Sequence, residues 1–414
     1  SIPVINRIFE TRYDAFTNLE LRNQFYKLWQ LPFAIAITFF LAVSQFLRYG
    51  NTPSKWLVKK LIVPMVVSIA IAAIMAIITG FSWKEIGGIA LLFTTVFAIS
   101  SNVEYLRKKN FIQNGSAIAH IGFAVLLLGA LISMMQSEAI SENTSDLDVS
   151  LLNKEFKNKE NILLKKGEMT PMHDYLVSYE GKHQEDVNIY YNVAYYEKLA
   201  NDVAGKHLFT LTPFVQLNEK FGNVPEPGTK SFLTHDIFTH VKWADLEVLD
   251  DEAGLDDDFM GLTMMEMTLN KTYNHENLQL ILEAIELVGV EDGPSDVELN
   301  EDDIIIKASL DIRLLSDTST RYSVIPFYVV RDSSMVIPTE VYSPELDTWF
   351  SIKELNSQPN TLVIGLQERE YIVMSATRFP LINLLWTGCI LLVFGSGLAA
   401  YSRCRKKLDK NRAT

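Results

Sequence analysis

The sequence predicts a polytopic α-helical membrane protein of about five transmembrane helices with one large extracytoplasmic β-rich domain. Three observations predict it. The 414 residues are 48% hydrophobic yet carry a formal net charge of −13, so apolar and acidic residues must be segregated along the chain. Five runs are free of Lys, Arg, Asp and Glu: Leu31 to Leu47, Leu61 to Trp83, Ile86 to Val103, Phe111 to Ser137 and Phe379 to Ser402. Each has about the length, roughly 17 to 25 residues, that a helix needs to cross a hydrocarbon core. Between the fourth and fifth runs the chain is polar, acidic and rich in alternating aromatic and β-branched residues, the composition of a folded β-rich domain.

Taken in order, residues 1–30 read as an external segment ending at the interfacial Trp29, and residues 31–137 as a four-helix transmembrane region. Pro64 falls in the first turn of the second run, where a missing N–H is tolerated. Residues 138–377 form the extracytoplasmic domain, 378–402 the last span, and 403–414 a basic tail with Arg403, Arg405, Lys406, Lys407, Lys410 and Arg412. Positive flanks orient the whole. The tail, the group Arg107, Lys108 and Lys109, and the loop with Arg48, Lys55, Lys59 and Lys60 all fall on one side, the cytoplasm of a bacterial inner membrane. The large domain then faces the periplasm, with the Lys84–Glu85 turn on the same side. No signal peptide is visible at Ser1, and an external start without one implies that further sequence precedes it.

Within the domain, His173 to Tyr179, Val187 to Tyr196, Leu208 to Leu217, Ile304 to Leu315, Tyr322 to Val330 and Thr361 to Ala376 have strand composition. Gly181, Pro225 to Gly228, Asp292 to Pro294 and Pro359-Asn360 supply turns. His275 to Val288 fits either a short amphipathic helix or a buried apolar strand, because periodicity alone does not separate them.

Few residues offer chemistry. Cys389 and Cys404 allow no disulfide framework and no Cys/His metal spacing, and the acidic balance argues against nucleic acid as a partner. His120 is the exception, an ionisable group inside the fourth run, and such groups are usually retained for function. The structural alternative is a neutral imidazole satisfied by Ser116, one turn back, or by a neighbouring helix. Gly115, Ala119 and Gly122 form a small-residue stripe that would admit either another helix or a flat macrocycle. His235 and His240, five apart on a strand, point to opposite faces and make a poor metal pair. His173, His183, His207 and His275 read as solvated, and Asp250 to Asp258 lacks the spacing of an EF-hand loop. GxGxxG, P-loop, GxSxG and HExxH motifs are all missing, and nothing in the domain reads as an active site.

The segment NGSAIAHIGFAVLLLGALIS resembles the late transmembrane helix of CcmF-type haem lyases of system I cytochrome c maturation, with Ala119, His120, Ile121 and Gly122 at the positions of that family's Ala-His-x-Gly. SIPVINRIF at the start is similar to the family's external loop, Thr234 to Val241 to its external Asp-hydrophobic-aromatic motif, and Phe379 to Gly397 to its last span. The departures are clear. The six tryptophans include no WWD segment, and no second membrane histidine is present.

The resemblance implies the C-terminal half of such a lyase, with His120 as an axial ligand to the iron of a membrane haem b. The opposite ligand would come from elsewhere or, within this chain, from Met65, Met75 or Met134. The family joins haem vinyl groups to the CxxCH cysteines of apocytochrome c. Implied partners are an upstream half or subunit carrying the WWD segment, a haem chaperone, apocytochrome c with its thiol-handling subunit, and membrane lipid. Without the WWD segment this chain by itself is not expected to catalyse the ligation. Two alternatives remain at this level: a ResB-type protein of system II, and a non-catalytic scaffold whose external domain recruits a partner.

Overall fold

A computed structural model describes residues 19–48, 50–78, 80, 86–107, 114–145, 147–218, 222–246, 258–295, 297–315, 317–332, 335–356, 358 and 360–413. The opening SIPVINRIF, Lys84–Glu85, Lys108–Lys109 and all but the end of Asp250 to Asp258 lie outside these residues. The chain forms two units: a helical one (Ser1–Ser137, Phe232–Asp236 and Phe379–Thr414) and a β-rich one (Glu138–Ser231 and Ile237–Arg378).

The helical unit contains α1 (Leu19–Ser44), α2 (Ser54–Ile78), α3 (Ile86–Leu106), α4 (Gly115–Met135) and α5 (Ile382–Ala413). Among the described residues four helices are long and apolar enough to span a membrane: α2, α3, α4 and Ile382–Arg405 of α5; the apolar part of α1, Leu28–Ser44, is shorter. Because α2 begins at Ser54, Pro64 lies in its interior and not in its first turn. The Ser68 hydroxyl donates to the Pro64 carbonyl at 2.5 Å, and Ser68 also meets Ser100 of α3 at 2.5 Å. Pro64 offers no N–H to the Lys60 carbonyl one turn back, and the Ser68 and Ser100 hydroxyls instead meet at the Pro64 carbonyl, tying α2 to α3 there.

Polar pairs connect the other helices. Thr38 donates to Thr94 at 2.8 Å, and the Asn102 amide donates to the Leu41 carbonyl at 3.1 Å, both joining α1 to α3. Apolar residues such as Phe33, Ile69, Ile77, Trp386 and Val393 remain exposed, as lipid-facing positions must be.

α4 and α5 pack antiparallel along a glycine seam. Gly115, Gly122 and Gly129, seven residues apart, press on the α5 backbone at Ala399, Leu392 and Leu385, while Gly388 and Gly395 press on α4 at Leu126 and Ala119. A Cβ at any of these five glycines would lie under 3.0 Å from backbone atoms of the opposite helix. Small residues at seven-residue spacing recur on one face and let helix axes approach until dispersion contacts are maximal. The stripe that the sequence leaves open to a helix or a macrocycle is therefore filled by α5.

The β-rich unit is built from four open sheets. A six-stranded sheet (Thr272–His275, Leu278–Val288, Ile304–Leu314, Asp317–Val324, Phe327–Arg331 and Met335–Ile337) shares a core with a four-stranded one (Thr263–Thr268, Val341–Ser343, Thr348–Leu355 and Thr361–Glu368). Alternate residues Leu278, Leu280, Leu282 and Leu362, Ile364, Leu366 point into that core, as the period of two requires. His275 to Val288 is thus settled as the end of one strand, a two-residue turn and a second strand. A second six-stranded sheet around Tyr175–Glu185 and Asn188–Lys198 carries the buried Tyr179, Tyr191 and Tyr195. Tyr195 is hydrogen bonded to Thr239, at 2.6 Å, on a strand (His235–Ala244) of the five-stranded sheet.

Three expected strands are each split in two. Pro213 follows Ala204–Leu211, Pro326 precedes Phe327–Arg331, and Arg369-Glu370 separates Thr361–Glu368 from Tyr371–Pro380. Proline lacks the N–H that a ladder uses. His173 belongs to a tight turn and not to a strand, since Met172 pairs with Tyr175 and His173 has φ +50°.

Candidate functional site

His120 lies in the second turn of α4, about 8 Å from the start of that helix and about 22 Å from its Met135 end at 1.5 Å per residue. Its surroundings follow from two helices. Ser116 lies one turn back on the same face, and Gln45 follows directly after the last residue of α1. The Gln45 amide nitrogen is 3.2 Å from the Ser116 hydroxyl and 3.2 Å from His120 Nδ1. The bland alternative for His120 therefore has a real partner, on the neighbouring helix and shared with Ser116. Gln45 is missed by motif reasoning, although it is the one amide in the run Leu31 to Leu47.

Half-buried His120 has no hydrogen bond to Nε2 among the described residues. At 100° per residue it points about 140° away from Gly115, so ring and glycine seam occupy different faces of α4. Nε2 of His120 is left as a donor atom of the kind a haem iron would take. An iron at Nε2 requires the proton on Nδ1; a half-turn of the Gln45 amide presents its oxygen to that proton, and Ser116 can donate to the same oxygen. The candidate methionines lie elsewhere. Met134 is exposed about 21 Å farther along α4, Met65 is exposed on α2, and Met75 packs with Ala72, Leu128 and Ile132.

The remaining histidines divide clearly. His173, His183 and His207 are exposed, with His173 Nδ1 2.9 Å from Asp174 and His207 Nε2 3.0 Å from Thr210. His235 stacks on Phe232 with ring centroids 4.7 Å apart, beside the Thr234 carbonyl that accepts the Leu381 N–H. His240 is five residues farther along the same strand. His275 departs from the solvated reading: it is partly buried, with Nε2 3.7 Å from Glu368.

Buried Glu370 and partly buried Glu368 lie on either side of Arg369 in the β-rich unit. Glu370 accepts from the Tyr179 hydroxyl at 2.7 Å and faces Lys182 at 3.2 Å and Lys166 at 3.6 Å, a paired and satisfied cluster. Burial pushes the Tyr179 hydroxyl far above its usual range, and the Glu370 charge adds to the shift. Burial, reinforced by Glu276, pushes the Glu368 carboxyl up to about 8.

The Glu368 shift sets a pH dependence. A carboxyl whose folded value exceeds its unfolded one binds a proton on folding, so its stabilisation is complete below the ordinary glutamate range and is lost as pH rises through about 8. With chelator present, stability should fall between pH 5 and 8 with a slope of up to about 1.4 kcal/mol per pH unit from this group. Glu368→Gln should remove that slope. Thermal unfolding in detergent across the range measures it, and an unchanged slope in the variant would refute the assignment.

No protein-family model matches the sequence, and no curated protein matches it. Among solved structures, a chain described as cytochrome c haem lyase CcmF is similar at 13% identity with a TM-score of 0.36, over 54% of this chain. The match covers 35% of the length of that solved chain.

Proposed function

We propose that this chain is a membrane component of cytochrome c biogenesis, the C-terminal part of a haem lyase complex, in which His120 is one axial ligand of a membrane haem b. The observation that carries the reading is His120 itself: an imidazole within a span, oriented through Nδ1 by Gln45, with Nε2 free of hydrogen bonds among the described residues. The Ala-His-Ile-Gly sequence around it supports the same reading.

The chain's own residues have defined tasks here. His120 would bind iron through Nε2, Gln45 and Ser116 would hold the ring and its Nδ1 proton, and the α4–α5 seam would fix the rotation of the helix that bears it. When bound, the haem would supply one-electron chemistry for reducing the iron of the haem being delivered. The second axial ligand and the haem-presenting WWD segment would belong to an upstream half or partner subunit, with haem chaperone and apocytochrome c as further partners.

Arg48, Lys55, Arg107 and Arg403 lie at the end of the bundle where α1, α3 and α5 finish and α2 and α4 begin. Placing that end in the cytoplasm puts the β-rich domain in the periplasm of a bacterial inner membrane.

The test is the reduced-minus-oxidised absorption spectrum of the detergent-purified chain, alone and co-purified with the WWD-bearing polypeptide. A b-type spectrum lost in His120→Ala, and altered in Gln45→Leu, is the expected result. Folded protein without haem in both preparations, or haem unaffected by His120→Ala, overturns the reading, and the colourless outcome favours the scaffold.

A further inference from the structure

His275, Glu276 and Glu368 converge although the nearer pair is separated from Glu368 by more than 90 positions. One ligand atom from each lies within 4.8 Å of the others. His275 and Glu276 are held at a hairpin: His275 pairs with Leu278, leaving Glu276 and Asn277 as a two-residue turn. Glu276 takes φ +47°, a left-handed conformation that a non-glycine residue adopts at a cost. Glu368 ends the strand Thr361–Glu368, and Tyr371, which starts the next strand, donates its hydroxyl hydrogen bond to Glu276.

The decisive atom is Glu368 Oε2. It is shut off from solvent, has no hydrogen bond, and is the atom 3.7 Å from His275 Nε2. A buried carboxylate oxygen without a partner is costly and calls for a cation or a donor. The nearby ammonium does not supply one, because Lys165 is 3.2 Å from Asp347. Two carboxylates and an imidazole thus face a common point, and among the described residues no ammonium or guanidinium group is paired with either carboxylate.

We propose that His275, Glu276 and Glu368 form a binding site for a divalent transition-metal ion of the Zn²⁺ class. Ligand lengths of about 2.0 to 2.2 Å in a tetrahedral site separate donor atoms by about 3.4 Å, close to the His275–Glu368 spacing and reachable from the others by small side-chain rotations. The imidazole argues against Ca²⁺ and Mg²⁺, and the lack of thiolate against Cu⁺. Three protein ligands leave a fourth position for water. Room for it exists: Glu276 and Glu368 line both a cavity of about 450 Å³ and one of about 440 Å³. Tyr371 acts as the outer hydrogen bond that orients Glu276. The ion would clip the Thr272–Val288 hairpin of the six-stranded sheet to the Glu368–Tyr371 junction between two other sheets. The site is independent of His120 and of the haem reading.

The experiment is calorimetric titration of ZnCl₂ into the chelator-stripped full chain in detergent, followed by thermal unfolding with and without Zn²⁺. One stoichiometric site is expected, weakened at least 100-fold in both His275→Ala and Glu368→Gln, with a Zn²⁺-dependent rise in Tm that both variants lose. His207→Ala, at an exposed histidine of the same unit, should bind as the wild type does and so separates this site from surface association. Glu368→Gln keeps the size of the side chain, and its metal-free Tm checks that it folds. No stoichiometric binding by the wild type, or binding retained by both variants, overturns the proposal.

Discussion

Replacing Gly122 by leucine is expected to abolish the folded helical unit in detergent. Even the first side-chain carbon would lie under 3.0 Å from the backbone of Leu392, and a backbone atom cannot rotate aside as a side chain does. The helices would have to part along a seam that Gly115, Gly129, Gly388 and Gly395 also hold at contact distance. Overpacking a core costs about 1 to 3 kcal/mol where side chains give way, and more than about 3 kcal/mol is expected where only backbones meet. Gly397→Ala is the matched control, because nothing lies within 4 Å of a Cβ there. Thermal unfolding of both variants in the same detergent tests the claim. Equal midpoints would show that the seam does not hold the helices together.

Glu370→Ala should produce the second large loss, in the β-rich unit. Glu370 is the shared carboxylate for Lys182, Lys166 and the Tyr179 hydroxyl, and the two lysine side chains are only 8% and 11% exposed. Removing one partner of a buried ion pair leaves the other charge desolvated, at a cost of about 3 to 5 kcal/mol. Asp245 and Asp258, each 3.7 Å from one of these lysines, should hold the loss toward the lower end. Glu370→Gln retains an oxygen for Tyr179 and should lose less. Denaturant unfolding of the full chain, followed by tryptophan fluorescence, checks the order wild type, Gln, Ala. A variant as stable as the wild type would show the cluster to be neutral.

The membrane spans are legible because length and lack of charge are local properties that a bilayer reads directly, and the β-rich domain is legible because alternation follows from the pleat. Strand ends are less so. Pro213 and Pro326 are visible punctuation, but the break at Arg369-Glu370 has no composition cue, since it comes from two sheets sharing one chain. His120 stands out in sequence because an ionisable group inside a span is chemically conspicuous. Gln45 does not, because its role exists only when α1 ends beside α4.

The sequence by itself determined where the chain enters and leaves an apolar phase, which domain is β-rich, and that one imidazole lies inside a span. Tertiary structure alone decided that the glycine stripe faces α5, that Gln45 meets His120, and that Glu368 comes to His275 and Glu276. The physical reason is range. Hydropathy and alternation are sums over neighbouring residues, whereas a buried carboxylate finds its partners through packing between strands far apart in the chain, and no local pattern encodes that distance.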